Sequence, residues 1–153
     1  MKGTQLGRPV EILLVEDNPG DVELTIEAFQ EARLLNHVSV ARDGQQAIDF
    51  LRRAGPYARA PRPDLILLDL NLPQRHGYEV LKEVKRDPGL ARIPVLILTS
   101  SQAERDVAES YSLHANCFVS KPLEVEEFLS VVKSITEFWL AVVRLPLGDE
   151  TRA

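Results

Sequence analysis

Four short polar groups, each following an apolar run, carry the chemistry open to this chain: Glu16-Asp17, Asp69, Thr99-Ser100 and Ser120-Lys121-Pro122. Each alone has a plain reading. An acidic pair favours the start of a helix, a threonine closes a turn, and a lysine sits on a surface. Their shared position is what sets them apart, because open parallel sheets place their chemistry at the carboxyl ends of the strands. Three carboxylates gathered at one edge repel one another, and a hard divalent cation relieves that repulsion. Magnesium takes oxygen ligands, typically one or two carboxylates with waters and a phosphate oxygen. Asp17 and Asp69 are the expected direct ligands, with Glu16 acting through water. A carboxylate can also act as a nucleophile toward phosphorus. Asp69 is the expected acceptor, since it leaves a central strand while Glu16 and Asp17 flank it. Phosphoryl transfer depends mainly on positioning and charge neutralisation. Lys121 offers a point charge, Thr99 a hydroxyl and Ser100 a backbone amide to a phosphate.

These groups share a crevice only if the elements behind them form one sheet. Five short apolar runs do so in pattern: Glu11 to Val15, His37 to Val40, Leu65 to Leu68, Val95 to Leu98 and Cys117 to Val119. They alternate with amphipathic stretches at about Asp21 to Ala32, Gln45 to Arg53, Tyr78 to Arg86, Ala103 to Leu113 and Val125 to Val143. Strands alternating with helical patterns predict an α/β domain with a doubly wound parallel sheet of five strands and five helices. In strand order 2-1-3-4-5, the first and third strands are neighbours at the switch point, with the fourth and fifth alongside. Punctuation agrees: Asn18-Pro19 offers a helix cap with proline in the first turn, while Asp43-Gly44 and Asp87-Pro88-Gly89 mark turns. The stretch Ala54 to Pro63, AGPYARAPRP, reads as a longer surface loop whose arginines are either solvated or a partner contact.

Composition narrows the rest. The 153 residues are 44% hydrophobic and 27% charged, the balance of one soluble globular domain. A net charge of -5 disfavours nonspecific nucleic-acid binding, which rests on basic surfaces. The single cysteine, Cys117, leaves no intramolecular disulfide and no cysteine-based zinc cluster, and suits a reduced interior. The N-terminal MKGTQLGRP lacks the apolar core of a signal peptide, and no segment approaches the roughly 20 apolar residues of a membrane span. The expectation is a soluble cytoplasmic protein with no nucleic-acid or membrane partner. His37, His76 and His114 are scattered, and each is expected to be an ordinary residue rather than a metal ligand or phosphohistidine relay.

The motifs LLVEDNPGD, DLILLDLNLPQRHG, VLILTSS and FVSKP, with the intervals from Asp69 to Gly77, Asp69 to Thr99 and Thr99 to Lys121, resemble a response-regulator receiver domain of two-component signalling. The resemblance covers about Pro9 to Phe138. It implies the flavodoxin-like (CheY-like) fold, and a phosphoryl group accepted by Asp69 from a histidine kinase. It also implies magnesium held by Asp17, Asp69 and the backbone carbonyl of Asn71, and phosphate held by Lys121 and Thr99. Lys121-Pro122 is then joined by a cis peptide, and Gly77 lets the loop after Asp69 enter its helix. Phe118 matches the switch aromatic, whose swing is coupled to Thr99. Such a domain is a phosphoacceptor that catalyses its own phosphoryl transfer and dephosphorylation, not a turnover enzyme. Two departures matter: Glu16 stands where many members have aspartate, and Phe118 lacks the hydroxyl of tyrosine.

The expected boundaries are a receiver at 9–138 and, at 139–153, the end of the last helix with a tail too short for an output domain. The signal is therefore expected to pass through another protein. In FLSVVKSITEFWLAVVRLP, Phe128, Val132, Ile135 and Trp139 follow a helical spacing that would serve the core. Phe138, Leu140, Val142 and Val143 then leave apolar residues on nearly every side. The tail either folds back over its own domain or self-associates, and a homodimer using Phe138, Trp139, Leu140 and Val143 is the sharper expectation. FWLAVVRLP, GPYARAPRPDLILLDLNLP and SYSLHANCF also resemble stand-alone response regulators that partner bacterial phytochromes, which resemble homodimers built through the last helix. That narrower resemblance implies a light-regulated histidine kinase as donor.

Three other classes compete. An aspartate-nucleophile phosphatase resembles a D-x-D pattern, but Asp69-Leu70-Asn71 puts an amide where the second acid must exchange a proton. A flavin module would place phosphate at the first strand end, where Glu16-Asp17 repels it. A degenerate scaffold receiver would not need the full set of acceptor residues.

Overall fold

Leu65 to Leu68 is apolar at every position, and such a strand is stable only if both of its faces are covered. The computed structural model, which describes residues 9–31, 35–70, 72–74, 76–99, 117–120 and 124–137, meets that requirement. The strands are β1 (Val10–Val15), β2 (Asn36–Ala41), β3 (Leu65–Leu68), β4 (Val95–Thr99) and β5 (Cys117–Ser120). The helices are α1 (Pro19–Gln30), α2 (Gly44–Arg52), α3 (Gly77–Arg86) and α4 (Val125–Glu137). The helical pattern at 103–113 lies outside the described residues. All strand pairs are parallel and the order is β2-β1-β3-β4-β5, as the sequence predicts.

Side chains alternate across the sheet and divide the core in two. Leu13, Val15, Ile66, Leu68, Val95 and Ile97 belong to one apolar cluster with Ala47 and Ile48 of α2 and Val80, Leu81 and Val84 of α3. Ile12, Leu14, Leu65, Leu67, Leu96 and Leu98 cluster with Val22, Ala28 and Phe29 of α1 and Phe128 of α4. Helices therefore cover both faces, and β1 and β3 meet at the switch point in the register Val15 with Leu68. Phe128 is buried, as its spacing predicts, and Lys133 of α4 reaches Glu31 at the end of α1 at 3.4 Å. The remainder of the expected last helix, at 138–143, lies outside the described residues.

The caps fix where helices begin. Asn18 accepts the backbone N–H of Asp21 at 3.0 Å, and Pro19 occupies the first turn of α1. Asp43 accepts the N–H of Gln46 at 2.8 Å, while Gln46 accepts the N–H of Arg42 at 2.9 Å. The loop at 54–63 is built rather than loose. A single 3-10 turn, Gly55–Tyr57, sets the Tyr57 ring 5.6 Å from that of Phe50. Arg53 Nε donates to the Ala60 carbonyl at 2.8 Å, and Arg62 donates to the carbonyl of Gly89. Two arginines of this region thus hold the chain together, whereas Arg59 is exposed.

Candidate functional site

The parallel register carries β1 and β3 to the same edge, and the backbone pairing runs one residue past β3 onto β1 and one residue past β1 onto β2. Asp69 N–H donates to the Val15 carbonyl at 3.0 Å, and Glu16 N–H donates to the Ala41 carbonyl at 2.9 Å. Side chains following adjacent strand ends are thereby forced together. Among the described residues, carboxylate oxygens of Glu16, Asp17 and Asp69 all lie within 4.8 Å of one another. Glu16 and Asp69 are 3% and 6% exposed, while Asp17 opens to solvent.

Two buried carboxylates beside a third define a site that suits a hard cation. Oxygen ligands at this spacing, two shielded and one wet, match what magnesium or a similar ion binds with part of its water shell retained. The fit rests on the donor set itself: three carboxylates, all oxygen ligands, following two adjacent strand ends. Such an ion supplies positive charge against an incoming phosphoryl group.

The segment after Asp69 is held just as closely. Leu70 is fully buried, and its carbonyl accepts the N–H groups of Leu72 at 3.1 Å and Gly77 at 3.0 Å, folding the loop back onto the strand end. A Cβ at Gly77 would come within 2.6 Å of the Asp69 carbonyl oxygen and of Leu70 Cα. Glycine is demanded here by close approach of backbone to backbone. Gln74 adopts φ 67, the left-handed conformation that reverses the loop. His76 caps α3, its Nδ1 accepting the Tyr78 N–H at 3.1 Å with the two rings stacked at 4.7 Å. Pro73 accepts the N–H of Gly44 at 3.4 Å, a weak tie between this loop and the start of α2.

The fourth and fifth strands enter through their backbones. Thr99 ends β4 in register with Ser120 at the end of β5, and Phe118 pairs with Ile97, which itself pairs with Leu68. Thr99 and Ser120 therefore stand on the sheet edge that carries Asp69. Asn71, Ser100 and Lys121, expected as carbonyl ligand, amide donor and phosphate-binding charge, lie outside the described residues, as does the Lys121-Pro122 peptide. Phe138, Trp139, Leu140 and Val143, the expected dimer contacts, also lie outside them.

Two features escape the sequence reading. His76 serves as a cap although histidine is not a usual capping residue, and only its place immediately before Gly77 signals the helix start. The carboxylate of Glu16 accepts the N–H of Asn18 at 3.2 Å, a bond that no local pattern announces.

A doubly wound sheet with an acidic cluster at its switch point defines an α/β domain with the oxygen donors for a divalent cation at its strand ends. The chain belongs to the response regulator receiver domains, whose family model matches residues 12–133. It is 46% identical over 138 residues to the response regulator Rcp1 of Synechocystis sp., covering 90% of this chain and 94% of that protein. The crystal structure of the phosphorylated cyanobacterial phytochrome response regulator RcpA superposes with a TM-score of 0.88 at 47% identity, covering 91% of this chain and 99% of that one. The structure of the Mn(2+)-bound form of Rcp1 gives a TM-score of 0.87 at 46% identity, over 90% and 99% of the two chains. Membership of this family makes the chain a signalling protein and not an enzyme in the usual sense.

Proposed function

We propose that this chain is a stand-alone response regulator in which Asp69 accepts a phosphoryl group from a histidine kinase. The observation that carries the reading is the convergence of Glu16, Asp17 and Asp69 within 4.8 Å at the ends of β1 and β3. In the transfer, an Asp69 carboxylate oxygen attacks phosphorus, the bond from phosphorus to the donor breaks, and the donor leaves with its electron pair. The product is an acyl phosphate on Asp69, which water later hydrolyses.

Asp17, Asp69 and the carbonyl of Asn71 would hold magnesium, with Glu16 acting through water; the bound ion supplies charge neutralisation. Manganese bound to Rcp1 supports a divalent ion of this type. Lys121, Thr99 and the Ser100 amide would bind the phosphoryl oxygens, and Thr99 with Phe118 would relay the change to the surface. To convert a 1:99 equilibrium into 99:1, phosphorylation must favour the active form by about 5.5 kcal/mol, within reach of a few charge-assisted bonds.

The relationship to RcpA, described as a phytochrome response regulator, supports a bacterial phytochrome as the kinase. In this reading residues 9–138 form the receiver, 139–153 extend its last helix into a tail, and Phe138, Trp139, Leu140 and Val143 make a homodimer contact. Output passes to a separate protein in the cytoplasm. Among the described residues no helix is long and apolar enough to cross a membrane.

Intact mass after incubation with acetyl phosphate and magnesium chloride tests the reading. A phosphoryl-sized gain that requires the metal and is absent from Asp69→Asn is the expected result. A gain of equal size in Asp69→Asn would overturn it.

A further inference from the structure

Asp17 stands in the middle of the turn from β1 to α1, exposed, with no hydrogen bond or ion pair from its side chain among the described residues. The position of its carboxylate is therefore set by the backbone on either side. On the strand side, that backbone is fixed by the bond from Glu16 N–H to Ala41. On the helix side three bonds run through Asn18. Its N–H donates to Glu16 Oε2 at 3.2 Å, its Oδ1 accepts the Asp21 N–H at 3.0 Å, and its carbonyl accepts the Val22 N–H at 3.0 Å.

We infer that Asn18 is a positioning residue for the divalent-cation site, locking the Glu16-Asp17 turn to α1 so that both carboxylates stay aimed at Asp69. The inference rests on the reading of those three acids proposed above. Its neighbours are chosen to the same end. Pro19 restricts Asn18 to extended backbone, where it sits at φ -82 and ψ 115. Gly20 keeps open the space that Asn18 Oδ1 occupies, since a Cβ there would lie 3.3 Å from that oxygen. The helix that receives the tie is itself immobilised by the buried Val22, Ala28 and Phe29. Glu16, one methylene longer than aspartate, has the reach to fold its carboxylate back onto the Asn18 N–H while remaining among the three acids. Asn18 touches neither the ion nor the phosphoryl group in this scheme. It acts through Glu16 and Asp17.

The test separates positioning from ordinary capping, because glycine at a helix cap is nearly as stabilising as asparagine whereas alanine is not. Calorimetric titration with magnesium chloride, and with manganese chloride as a second probe, is run on the natural protein, Asn18→Ser, Asn18→Gly, Asn18→Ala and Asp17→Asn. Thermal unfolding without metal is measured on each. Affinity is expected to follow the side-chain oxygen. Asn18→Ser binds like the natural protein, and both Asn18→Gly and Asn18→Ala bind more weakly by on the order of ten-fold, the low end of the cost of losing an outer partner of a metal ligand. Metal-free stability is expected to follow capping instead, with only Asn18→Ala clearly lowered. Natural affinity in Asn18→Gly, or an affinity loss confined to Asn18→Ala, would overturn the inference while leaving the metal site intact. A natural protein that binds neither ion, or an Asp17→Asn variant that binds both unchanged, would overturn the site and the inference together.

Discussion

Gly77→Ala is the substitution whose outcome the structure dictates most directly. The new methyl carbon would lie 2.6 Å from the Asp69 carbonyl oxygen, 2.6 Å from Leu70 Cα and 3.1 Å from Leu70 Cδ2. Two of these three atoms are backbone and cannot rotate away. The third belongs to a fully buried leucine. Relief therefore requires the first turn of α3 and the Asp69-Leu70 segment to separate, weakening the 3.0 Å bond from Gly77 N–H to the Leu70 carbonyl. Overpacking of this kind costs about 1–3 kcal/mol. Alanine recovers up to about 1 kcal/mol through helix propensity, less at a helix start. The net loss is about 1–2 kcal/mol, and at about 2–4 °C per kcal/mol for a chain of this size the unfolding midpoint should fall by about 2–8 °C. Because Asp69 itself is displaced, magnesium affinity should fall as well. Chemical denaturation paired with calorimetric metal titration reads both quantities. A Gly77→Ala protein as stable as the natural one, with unaltered metal affinity, would refute the close-approach argument. Gly55 provides the contrast, since a Cβ there meets nothing within 4 Å and its φ of 58 alone resists substitution. Gly55→Ala should therefore lose stability without losing metal affinity.

Three further outcomes follow from other parts of the molecule. Asp43→Ala removes the bond to Gln46 N–H and should destabilise the protein by about 1 kcal/mol in urea titrations, whereas an unchanged midpoint would show that the cap contributes nothing. Magnesium chloride at a hundred times its dissociation constant should stabilise the natural protein by about 2.7 kcal/mol, and the gain should vanish in Asp17→Asn when both are followed by thermal unfolding. Burial holds the Lys85 ammonium below its ordinary pKa of 10.5 while its Nζ donates to the Ala91 and Ile93 carbonyls at 3.3 and 3.4 Å. The charged form is thus disfavoured on folding. That penalty is full below the folded pKa and fades as pH rises from there toward 10.5, so stability relative to Lys85→Met should climb through that alkaline window. Parallel stability curves for the two proteins would contradict this.

The parts of the fold legible in the sequence are those written in local pattern. The continuous burial of Leu65 to Leu68 marks a central strand, and the alternation of apolar runs with amphipathic stretches yields the parallel order observed. Strand ends moved by at most a residue or so: β1 begins at Val10 rather than Glu11, and β4 extends to Thr99. The convergence of Glu16, Asp17 and Asp69 was legible because topology alone forces adjacent strand ends together. What the sequence hid are bonds between side chains and backbone across turns. The Glu16 carboxylate could equally have faced solvent, and its bond to Asn18 N–H depends on rotamers that no residue pattern specifies. Arg62 lies in the loop whose arginines read as solvated or as a partner contact, yet its guanidinium group finds the Gly89 carbonyl 27 positions away, a contact created by the path of the loop. The cap at His76 escaped for a similar reason. Its role follows from the Leu70 turn placed before it, not from the preferences of histidine.

The central claim is that phosphoryl transfer ends on one carboxylate, Asp69. Borohydride reduction of the protein after treatment with acetyl phosphate and magnesium converts an acyl phosphate to an alcohol, and peptide mass mapping then locates it. The account predicts conversion at residue 69 alone, with Glu16 and Asp17 recovered as free acids. Conversion at Glu16 or Asp17, or a phosphorylated protein in which residue 69 survives as aspartate, would contradict it.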